Sequence, residues 1–497
     1  MTFKSHHIIN KFLLKILFFA IPVTFWMFSG CQDEWDTRPD LKLSFSNDSI
    51  IFDTVFTSLG SATHRLMVYN PSSSKINISE IRLEKGSSSD FRVNIDGEAT
   101  YDAKNVEIRG KDSLFIFARV TIDPNNNAEP FVVEDRLLFT INGNQQAVKL
   151  VAWGKNARYI LADHHPKGFP AYKIVADSLQ NVEWTNDKPI VIYGFAVVNS
   201  YGRLKIDAGT KIYFHKNSGL WVYVNGQLTV SGTQKDPVVF QGDRLETLYA
   251  DLPGQWDRIW IMEGRKGFDN RIENAIIKNG FIGIQAESFL KKNQNKLQLH
   301  NVIIKNMNGA GILSRNYTID AQNLVAANCG GYCLALTGGG DYRFLQSTLA
   351  NYWPYSIRNT PAVLLTNYLK DTNDLAVPYP MHFVLGNSII YGYNTNEFGT
   401  SMVAGADSAY LLDHCLVKTT LKMDNLNYFQ SIIKNQDPKF LDIEKQDYRI
   451  DTLSPAIGKG SPTIGAEVPF DILGNPRGQT PDLGAYQFVS GQSKKSK

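Results

Sequence analysis

Short apolar runs recur at a regular spacing through the second half of the chain, and this repeat constrains the fold more than any other feature. The run Asn274–Asn279 (Asn-Ala-Ile-Ile-Lys-Asn) is echoed by Asn301–Asn306 (Asn-Val-Ile-Ile-Lys-Asn), and weaker copies end at Asn328 and Asn351. The four closing asparagines are 27, 22 and 23 residues apart. Each run is too short for a helical period and rich in Ile and Val, which favours strands. Because one such unit cannot bury its own apolar face, the units must stack.

An earlier pair of segments follows a similar plan. Residues 202–214 and 226–240 each begin Gly-x-Leu, continue as a strand, reach Gly-Thr and enter a second strand. Propeller repeats are longer, near 40 residues, and contain four strands each. Coils of 22 to 27 residues with about three short strands therefore predict a right-handed parallel β-helix, which we place at residues 160–490.

The closing asparagines suggest a specific role in such a stack. Asn279, Asn306, Asn328 and Asn351 would occupy one turn on successive coils. Stacked amides can bond to the coils above and below and satisfy buried polar groups, so we predict a structural Asn ladder. The alternative is that these side chains line a glycan groove.

Residues 41–155 show a different pattern, in which short predicted strands with alternating apolar and polar residues are separated by turns. Arg65–Tyr69 ends at the turn signal Asn70-Pro71, and Leu137–Ile141 runs into Asn142-Gly143, a strong signal for a two-residue hairpin. About seven strands in this length predict a β-sandwich, so the complete fold class is all-β, a sandwich followed by a β-helix. The segment is similar to immunoglobulin-like domains of the major-sperm-protein type, a resemblance that implies a binding or spacer domain and carries no catalytic residues.

The N-terminus has the pattern of an export signal. A basic start at Lys4, Lys11 and Lys15 precedes the apolar stretch Ile16–Met27 and then Phe28-Ser29-Gly30-Cys31. The stretch is short for a membrane-spanning helix and suits a signal peptide, although an uncut anchor is the alternative. The four-residue motif resembles the lipobox of bacterial lipoproteins. The resemblance implies that residues 1–30 are removed, that Cys31 carries acyl chains such as palmitate, and that residues 31–40 tether the protein to a membrane.

Acidic residues follow the cysteine directly. Asp33, Glu34 and Asp36 resemble the tag that exports lipoproteins of Bacteroidota-type bacteria to the cell surface. The resemblance implies an outer-membrane protein that faces the extracellular side. A solvated linker with chance acids is the alternative.

The C-terminal part contains a series of short motifs. They are Asp437-Pro-Lys-Phe, Asp447-Tyr-Arg-Ile, Ser454-Pro-Ala-Ile, Asn475-Pro-Arg and Pro481-Asp-Leu-Gly-Ala-Tyr. Together they look like the closing segment of secreted β-helix proteins of the pectate-lyase-like superfamily, and the resemblance covers residues 180–488. This chain has Gly458-Lys-Gly where that family usually has Asp-Ala-Gly. The resemblance implies an architecture and no particular activity, since lyases, hydrolases, adhesins and scaffolds share it.

The sequence contains few patterns that are typical of catalytic residues. Glycan hydrolysis needs paired carboxylates, and a lyase needs a base with a cation or calcium, yet the sequence contains no Asp-Asp and no Gly-His-Gly. The weak candidates are Asp257 and Arg258, in a stretch with Glu263, Arg265, Asp269 and Arg271, and His414. The alternatives are a solvated loop of ion pairs and a satisfied turn histidine. We predict no metal or cofactor, with calcium considered only for a lyase.

Three cysteines remain if Cys31 is lipidated. Cys329 and Cys333 can bridge a turn, or they and Cys415 can be small buried residues. A net charge of +3 without a long Lys/Arg run does not favour nucleic acid. We therefore expect a non-catalytic binding or scaffold module for a glycan or an outer-membrane protein complex, with a polysaccharide lyase or glycoside hydrolase as the alternative.

Overall fold

The computed structural model describes residues 34–56, 60–123, 131–290 and 294–491. Cys31, Asp33 and the predicted signal peptide lie outside the described residues. The chain divides into two compact units, residues 1–155 and 156–497. Both units are built of strands, which confirms the predicted fold class of a sandwich and a parallel β-helix.

The first unit contains two five-stranded sheets in its described part. One has the order β1-β3-β8-β5-β6 and the other β2-β10-β9-β4-β7. The strands are β1 Ser44–Phe45, β2 Ser49–Phe56, β3 His64–Tyr69, β4 Ile76–Leu83, β5 Phe91–Ile95, β6 Glu98–Thr100, β7 Asp102–Ile108, β8 Ser113–Val120, β9 Phe131–Ile141 and β10 Asn144–Lys155.

Alternation along the strands explains the sandwich. In β8, Leu114 and Ile116 are buried between the sheets while Phe115 and Phe117 point outward and are exposed. Strands β9 and β10 pair across Asn142-Gly143, and both turn residues have positive φ, as a tight hairpin requires.

The second unit consists of the following elements in its described part: β11 Arg158–Leu161, β12 Tyr172–Ala176, β13 Asn181–Trp184, β14 Ile190–Tyr193, β15 Phe195–Val198, β16 Arg203–Asp207, β17 Lys211–Phe214, β18 Gly219–Val222, β19 Gln227–Ser231, β20 Val238–Gly242, a 3₁₀ helix Thr247–Tyr249, β21 Ile259–Met262, β22 Asn270–Lys278, β23 Ile282–Glu287, β24 Leu297–Met307, β25 Ala310–Gln322, β26 Val325–Cys329, β27 Tyr332–Leu345, β28 Thr348–Asn351, β29 Val363–Thr366, β30 Tyr368–Lys370, β31 Ala376–Pro378, β32 Met381–Gly392, β33 Phe398–Ser401, β34 Ser408–Val417, β35 Phe429–Gln430, β36 Ile433–Lys434, β37 Phe440–Asp442, β38 Asp447–Ile450 and the α-helix α1 Pro462–Glu467.

Strands of successive coils pair in parallel and form three sheets. Sheet A runs from β12 through β15, β18, β21, β23, β25, β27 and β29 to β33. Sheet B contains β13, β16, β19 and the first part of β22, and continues to β35. Sheet C contains β11, β14, β17, β20 and the second part of β22, and continues to β36.

Inside the β-helix, apolar side chains at equivalent positions of successive coils stack on one another. One such column is Ile206, Val230, Ile272, Leu299, Ala321, Phe344, Leu385, Leu412 and Phe429. Every member is buried. Burial of apolar area at about 25 cal/mol per Å² is the main favourable term in such a stack.

Candidate functional site

One turn of the β-helix carries a polar residue on seven successive coils. It is the corner between sheets B and C, and its occupants are Asn274, Asn301, Asn323, Gln346, Asn387, His414 and Ser431. All seven have φ between 48° and 55°. Asparagine is among the few residues other than glycine that adopt this left-handed conformation readily, which explains its frequency here.

Three of these asparagines form a hydrogen-bonded series. The Asn301 side chain donates to the Asn274 oxygen at 3.1 Å, and the Asn323 side chain donates to the Asn301 oxygen at 2.9 Å. Asn274 in turn donates to the carbonyl of Gly232 at 3.0 Å. The amide series therefore satisfies polar groups that the corner would otherwise leave unpaired.

The four asparagines predicted as the ladder lie at a different turn. Asn279, Asn306, Asn328 and Asn351 are neighbours on successive coils and are buried, but their side chains bond elsewhere. Asn279 donates to two loop carbonyls, Asn306 to Asp251 and Gln446, Asn328 accepts from the Tyr448 hydroxyl, and Asn351 accepts from the Cys329 amide. Asn351 bonds to the end of β26 on the preceding coil, whereas the other three side chains meet residues outside the stacked strands, and no two of the four side chains bond to each other.

The weak catalytic candidates are dispersed. His414 occupies the Asn corner, and its Nδ1 lies 2.7 Å from Asp413. Asp257 binds Arg258 at 2.8 Å, and Arg258 also binds Gln285. In the described part of the chain, no hydrogen bond or ion pair joins His414 to Asp257 or Arg258.

The other charges of the 257–271 stretch do not converge either. Buried Glu263 accepts from the amide of Phe289, the Arg265 guanidinium lies 4.1 Å from the ring centre of Phe268, and Asp269 accepts from the amide of Lys296. Each group is engaged locally, which disfavours a shared catalytic centre.

A cavity of about 520 Å³ lies beside the Asn corner. One wall is sheet B, where Ser231, Glu273, His300 and Gln322 are outward neighbours on four successive coils. Glu273, His300 and Gln322 line the cavity, and the other wall is formed by residues 468–472 with Gly474. We call this cavity the polar groove.

Glu273 and His300 form the central pair of the polar groove. His300 Nδ1 lies 3.1 Å from Glu273 Oε1, and Arg271 contacts the same carboxylate oxygen at 2.5 Å. When the neutral ring donates its Nδ1 proton to Glu273, Nε2 is an acceptor. Within the described ranges, His300 Nε2 and the side-chain amide of Gln322 have no protein hydrogen-bond partner. Both groups can therefore bind a ligand.

The second wall is fixed by contacts with the Asn series. Buried Arg477 donates to Asn323 at 2.7 Å, and Asn323 donates to the carbonyl of Phe470 at 2.9 Å. Burial lowers the pKa of Arg477 to about 10. Asp471 accepts from the amides of residues 473, 475 and 487 and is therefore occupied, whereas Phe470 is 57% exposed at the rim.

The sequence pattern did not single out Glu273, His300 and Gln322 as site residues. A signal was present, because each immediately precedes the asparagine that opens one of three successive repeats. Only the strand register shows that these polar residues are neighbours on one face.

The remaining predicted groups are placed as follows. Glu34 is exposed, while Asp36 pairs with Arg38 at 2.6 Å, and this guanidinium holds the pKa of Asp36 well below its usual range. Cys329, Cys333 and Cys415 are buried free thiols. Among the described residues, no cluster of three His, Cys, Asp or Glu side chains has a metal-binding arrangement, and no helix there is long and apolar enough to cross a membrane.

Comparisons with known proteins give only distant similarity. No family model and no curated protein sequence matches the chain. Among solved structures, it is similar to the VesB protease of Vibrio cholerae at 10% identity and a TM-score of 0.17, covering 22% of this chain and 31% of that one. It is also similar to a family 123 glycoside hydrolase from Clostridium perfringens at 10% identity and a TM-score of 0.19, covering 29% of this chain and 30% of that one.

A third match is a protein of unknown function from Porphyromonas gingivalis W83. It has 13% identity and a TM-score of 0.18, over 27% of this chain and 58% of that one. The chain thus spans about a third of the first two proteins, and at these TM-scores the matches carry no inference about activity.

Proposed function

We propose that this protein is a lipid-anchored lipoprotein of the bacterial outer membrane that binds a polysaccharide in the polar groove. The proposal rests on one observation. Two polar groups on adjacent coils, His300 Nε2 and the side-chain amide of Gln322, have no protein hydrogen-bond partner in the described part of the chain and share one cavity with the exposed Phe470. The anchor rests on the motif at Cys31, and the resemblance to Bacteroidota-type surface lipoproteins is part of the same proposal.

The chemistry of the polar groove suits a sugar. Hydroxyl groups can donate to an imidazole nitrogen and exchange hydrogen bonds with an amide, while the apolar face of a sugar ring can pack on an aromatic side chain. Successive coils repeat at about 4.8 Å, a spacing comparable to one sugar unit. A row of side chains at this spacing can contact successive sugar units of a linear polysaccharide.

The acids of the polar groove favour binding over turnover. Glycoside hydrolysis uses two carboxylates placed on either side of the bond that breaks. Glu273 is already held by Arg271 and His300, and Asp471 accepts three backbone amides. Both carboxylates among the described lining residues of the polar groove are therefore engaged by protein groups.

One observation favours the enzymatic alternative. Glu273 orients the imidazole of His300, as a carboxylate does for a general base. A polysaccharide lyase is therefore the second candidate function, and calcium is considered only for it.

Affinity electrophoresis of the purified protein against neutral and acidic polysaccharides tests the proposal. We expect H300A and Q322A to weaken binding of the retained polysaccharide at least tenfold and F470A to weaken it several-fold. Q298A is the matched control, since Gln298 lies outward on the same strand as His300 but outside the cavity. Binding lost equally in Q298A, or no retained polysaccharide at all, would contradict the proposal.

The same samples discriminate turnover from binding. Assays for unsaturated and reducing ends, with and without calcium, should give no product. Steady product formation that disappears in H300A would replace the binding proposal with the lyase.

The acidic residues after Cys31 determine the proposed orientation. Replacing Asp33, Glu34 and Asp36 with Ala should protect the protein from protease added to intact cells. Unchanged protease accessibility would remove the export tag from the proposal.

A further inference from the structure

The charged side chains that line the polar groove are acidic. Glu273 and Asp471 line the cavity, and none of its described lining residues is a lysine or an arginine. The other polar lining side chains are the imidazole of His300 and the amides of Gln234, Asn274, Asn301, Gln322 and Asn323. Among these residues, the polar groove therefore presents neutral hydrogen-bonding groups and carboxylates to a ligand, without a fixed cation.

Two arginines balance the acids without lining the cavity. Arg271 contacts the carboxylate of Glu273 at 2.5 Å. Arg477 is 2% exposed, lies within electrostatic range of Asp471 and donates to Asn323 at 2.7 Å. Because Arg271 is engaged and Arg477 is buried, neither guanidinium is placed to neutralise an anionic ligand in the cavity.

Hydrogen-bond polarity acts in the same direction as charge. In the neutral tautomer that donates its Nδ1 proton to Glu273, His300 presents the lone pair of Nε2. A sugar hydroxyl donates to this nitrogen, whereas an ionised carboxylate has no proton to donate. Transfer of a carboxylate from water into the cavity is also costly, because a buried charge needs a counter-charge.

We infer that the polar groove selects an uncharged polysaccharide over one built of uronic acids. The inference rests on the proposed function and names its substrate class. A hydroxymethyl group in the cavity donates to His300 Nε2 or exchanges hydrogen bonds with the Gln322 amide, while the carboxylate of the matching uronate finds no cation. This selection also counts against the lyase, whose substrates carry uronate carboxylates.

Long-range attraction acts in the opposite direction and has to be suppressed in the test. The chain has a formal net charge of +3, which attracts polyanions wherever they bind. At an ionic strength of about 0.15 M the Debye length is about 8 Å, so distant charges are screened. Isothermal titration calorimetry is therefore run at this ionic strength and at about pH 8, where imidazole is ordinarily neutral.

Three neutral polysaccharides serve as probes: laminarin, amylose and galactomannan. Each is compared with its derivative oxidised to the carboxylate at C6 and with the methyl ester of that derivative, and polygalacturonate and alginate are the native acidic probes. We expect at least one neutral polymer to bind and its oxidised form to bind at least tenfold more weakly. The methyl ester should restore most of the affinity, because it keeps the shape of the oxidised unit without its charge.

The outcomes separate this inference from the proposed function. Binding of polygalacturonate or alginate alone, or equal affinity for a neutral polymer and its oxidised form, would overturn the inference and leave polysaccharide binding in place. Binding of none of the probes would contradict both.

E273Q tests the charge of the cavity wall. It removes a lining carboxylate and leaves Arg271 without its counter-charge, so the preference for the neutral polymer should narrow at least threefold. E183Q is the matched control, since Glu183 on β13 of the same sheet pairs with Lys205 at 2.6 Å but does not line the cavity. An unchanged preference in E273Q, or an equal change in E183Q, would also overturn the inference. Thermal unfolding establishes that E273Q is folded, and the comparison of polymers on the wild type does not depend on it.

Discussion

The side-chain nitrogen of Asn323 donates a 2.9 Å hydrogen bond to the side-chain oxygen of Asn301, its neighbour on the preceding coil. The same Asn323 accepts from Arg477 of the C-terminal segment. One amide thus links the stacking of the coils to the wall of the polar groove.

Replacement of Asn301 tests the contribution of the amide series. Glycine tolerates the left-handed backbone, but N301G removes the amide and leaves the side-chain oxygen of Asn274 without its donor, while Asn323 keeps its bonds to Phe470 and Arg477. Because Asn301 and Asn274 are half-buried, we expect the free energy of unfolding to fall by about 0.5–1.5 kcal/mol, the net value of a typical intramolecular hydrogen bond. Urea denaturation followed by circular dichroism measures the change.

N225G is its control. Asn225 also has a left-handed φ, of 62°, but makes no side-chain hydrogen bond within the described residues, so N225G reports the backbone effect of glycine alone. Equal stability of N301G and N225G would show that the amide series does not stabilise the β-helix.

The second prediction concerns a buried ion pair. The side chains of Arg358 and Glu397 are 3% and 0% exposed and meet at 2.5 Å, and Glu397 also accepts from the amides of Ala362 and Asn394. R358M leaves a buried carboxylate without its counter-charge and should cost about 3–5 kcal/mol of unfolding free energy. The double variant R358M/E397M should lose less than R358M alone.

An exposed pair provides the comparison. K370M breaks the surface pair between Lys370 and Asp374 and should change stability by about 0–1 kcal/mol. If R358M were no more destabilising than K370M, the buried pair would have no special role.

The third prediction concerns thiol reactivity. Burial raises the pKa of Cys415 to about 12 and that of Cys333 well above its usual value. Because the thiolate is the reactive form, the native protein should react slowly with a thiol reagent at pH 8, and Cys329, Cys333 and Cys415 should all react after unfolding. Rapid labelling of native Cys415, or a single reactive thiol after unfolding, would contradict the buried free thiols.

The fourth prediction concerns the anchor. C31A should abolish lipidation and either release the protein from membranes or leave residues 1–30 attached. Membrane fractionation and intact-mass measurement test both outcomes. An intact 1–30 segment in the wild-type protein would refute the lipoprotein assignment.

Local patterns of the sequence were sufficient to predict the architecture. Apolar alternation, the turn Asn142-Gly143 and the recurrence of short Ile- and Val-rich runs are properties of neighbouring residues, so they predict strands, a hairpin and stacked coils without tertiary information. A turn histidine was one of the two interpretations of His414, and the strand register places it in the Asn corner.

The position of the amide series was decided by tertiary structure. The opening and closing asparagines of each repeat look alike in sequence, and the prediction selected Asn279, Asn306, Asn328 and Asn351. Adjacent coils keep a constant register at the opening corner, so Asn274, Asn301 and Asn323 meet one another. At the closing turn, loops intervene, and Asn328 bonds to Tyr448, 120 positions away.

The sequence by itself determined the all-β class and the β-helix, because a repeat period and an apolar pattern are local properties. Tertiary structure alone decided the polar groove, because Glu273 and His300 are 27 residues apart and Arg477 lies 154 positions from Asn323. Such contacts depend on the register of whole coils and on the return of the C-terminal segment along the stack. The repeat places Glu273 and His300 before equivalent asparagines, but only the alignment of the coils and the return of the C-terminal segment bring the two walls of the polar groove together.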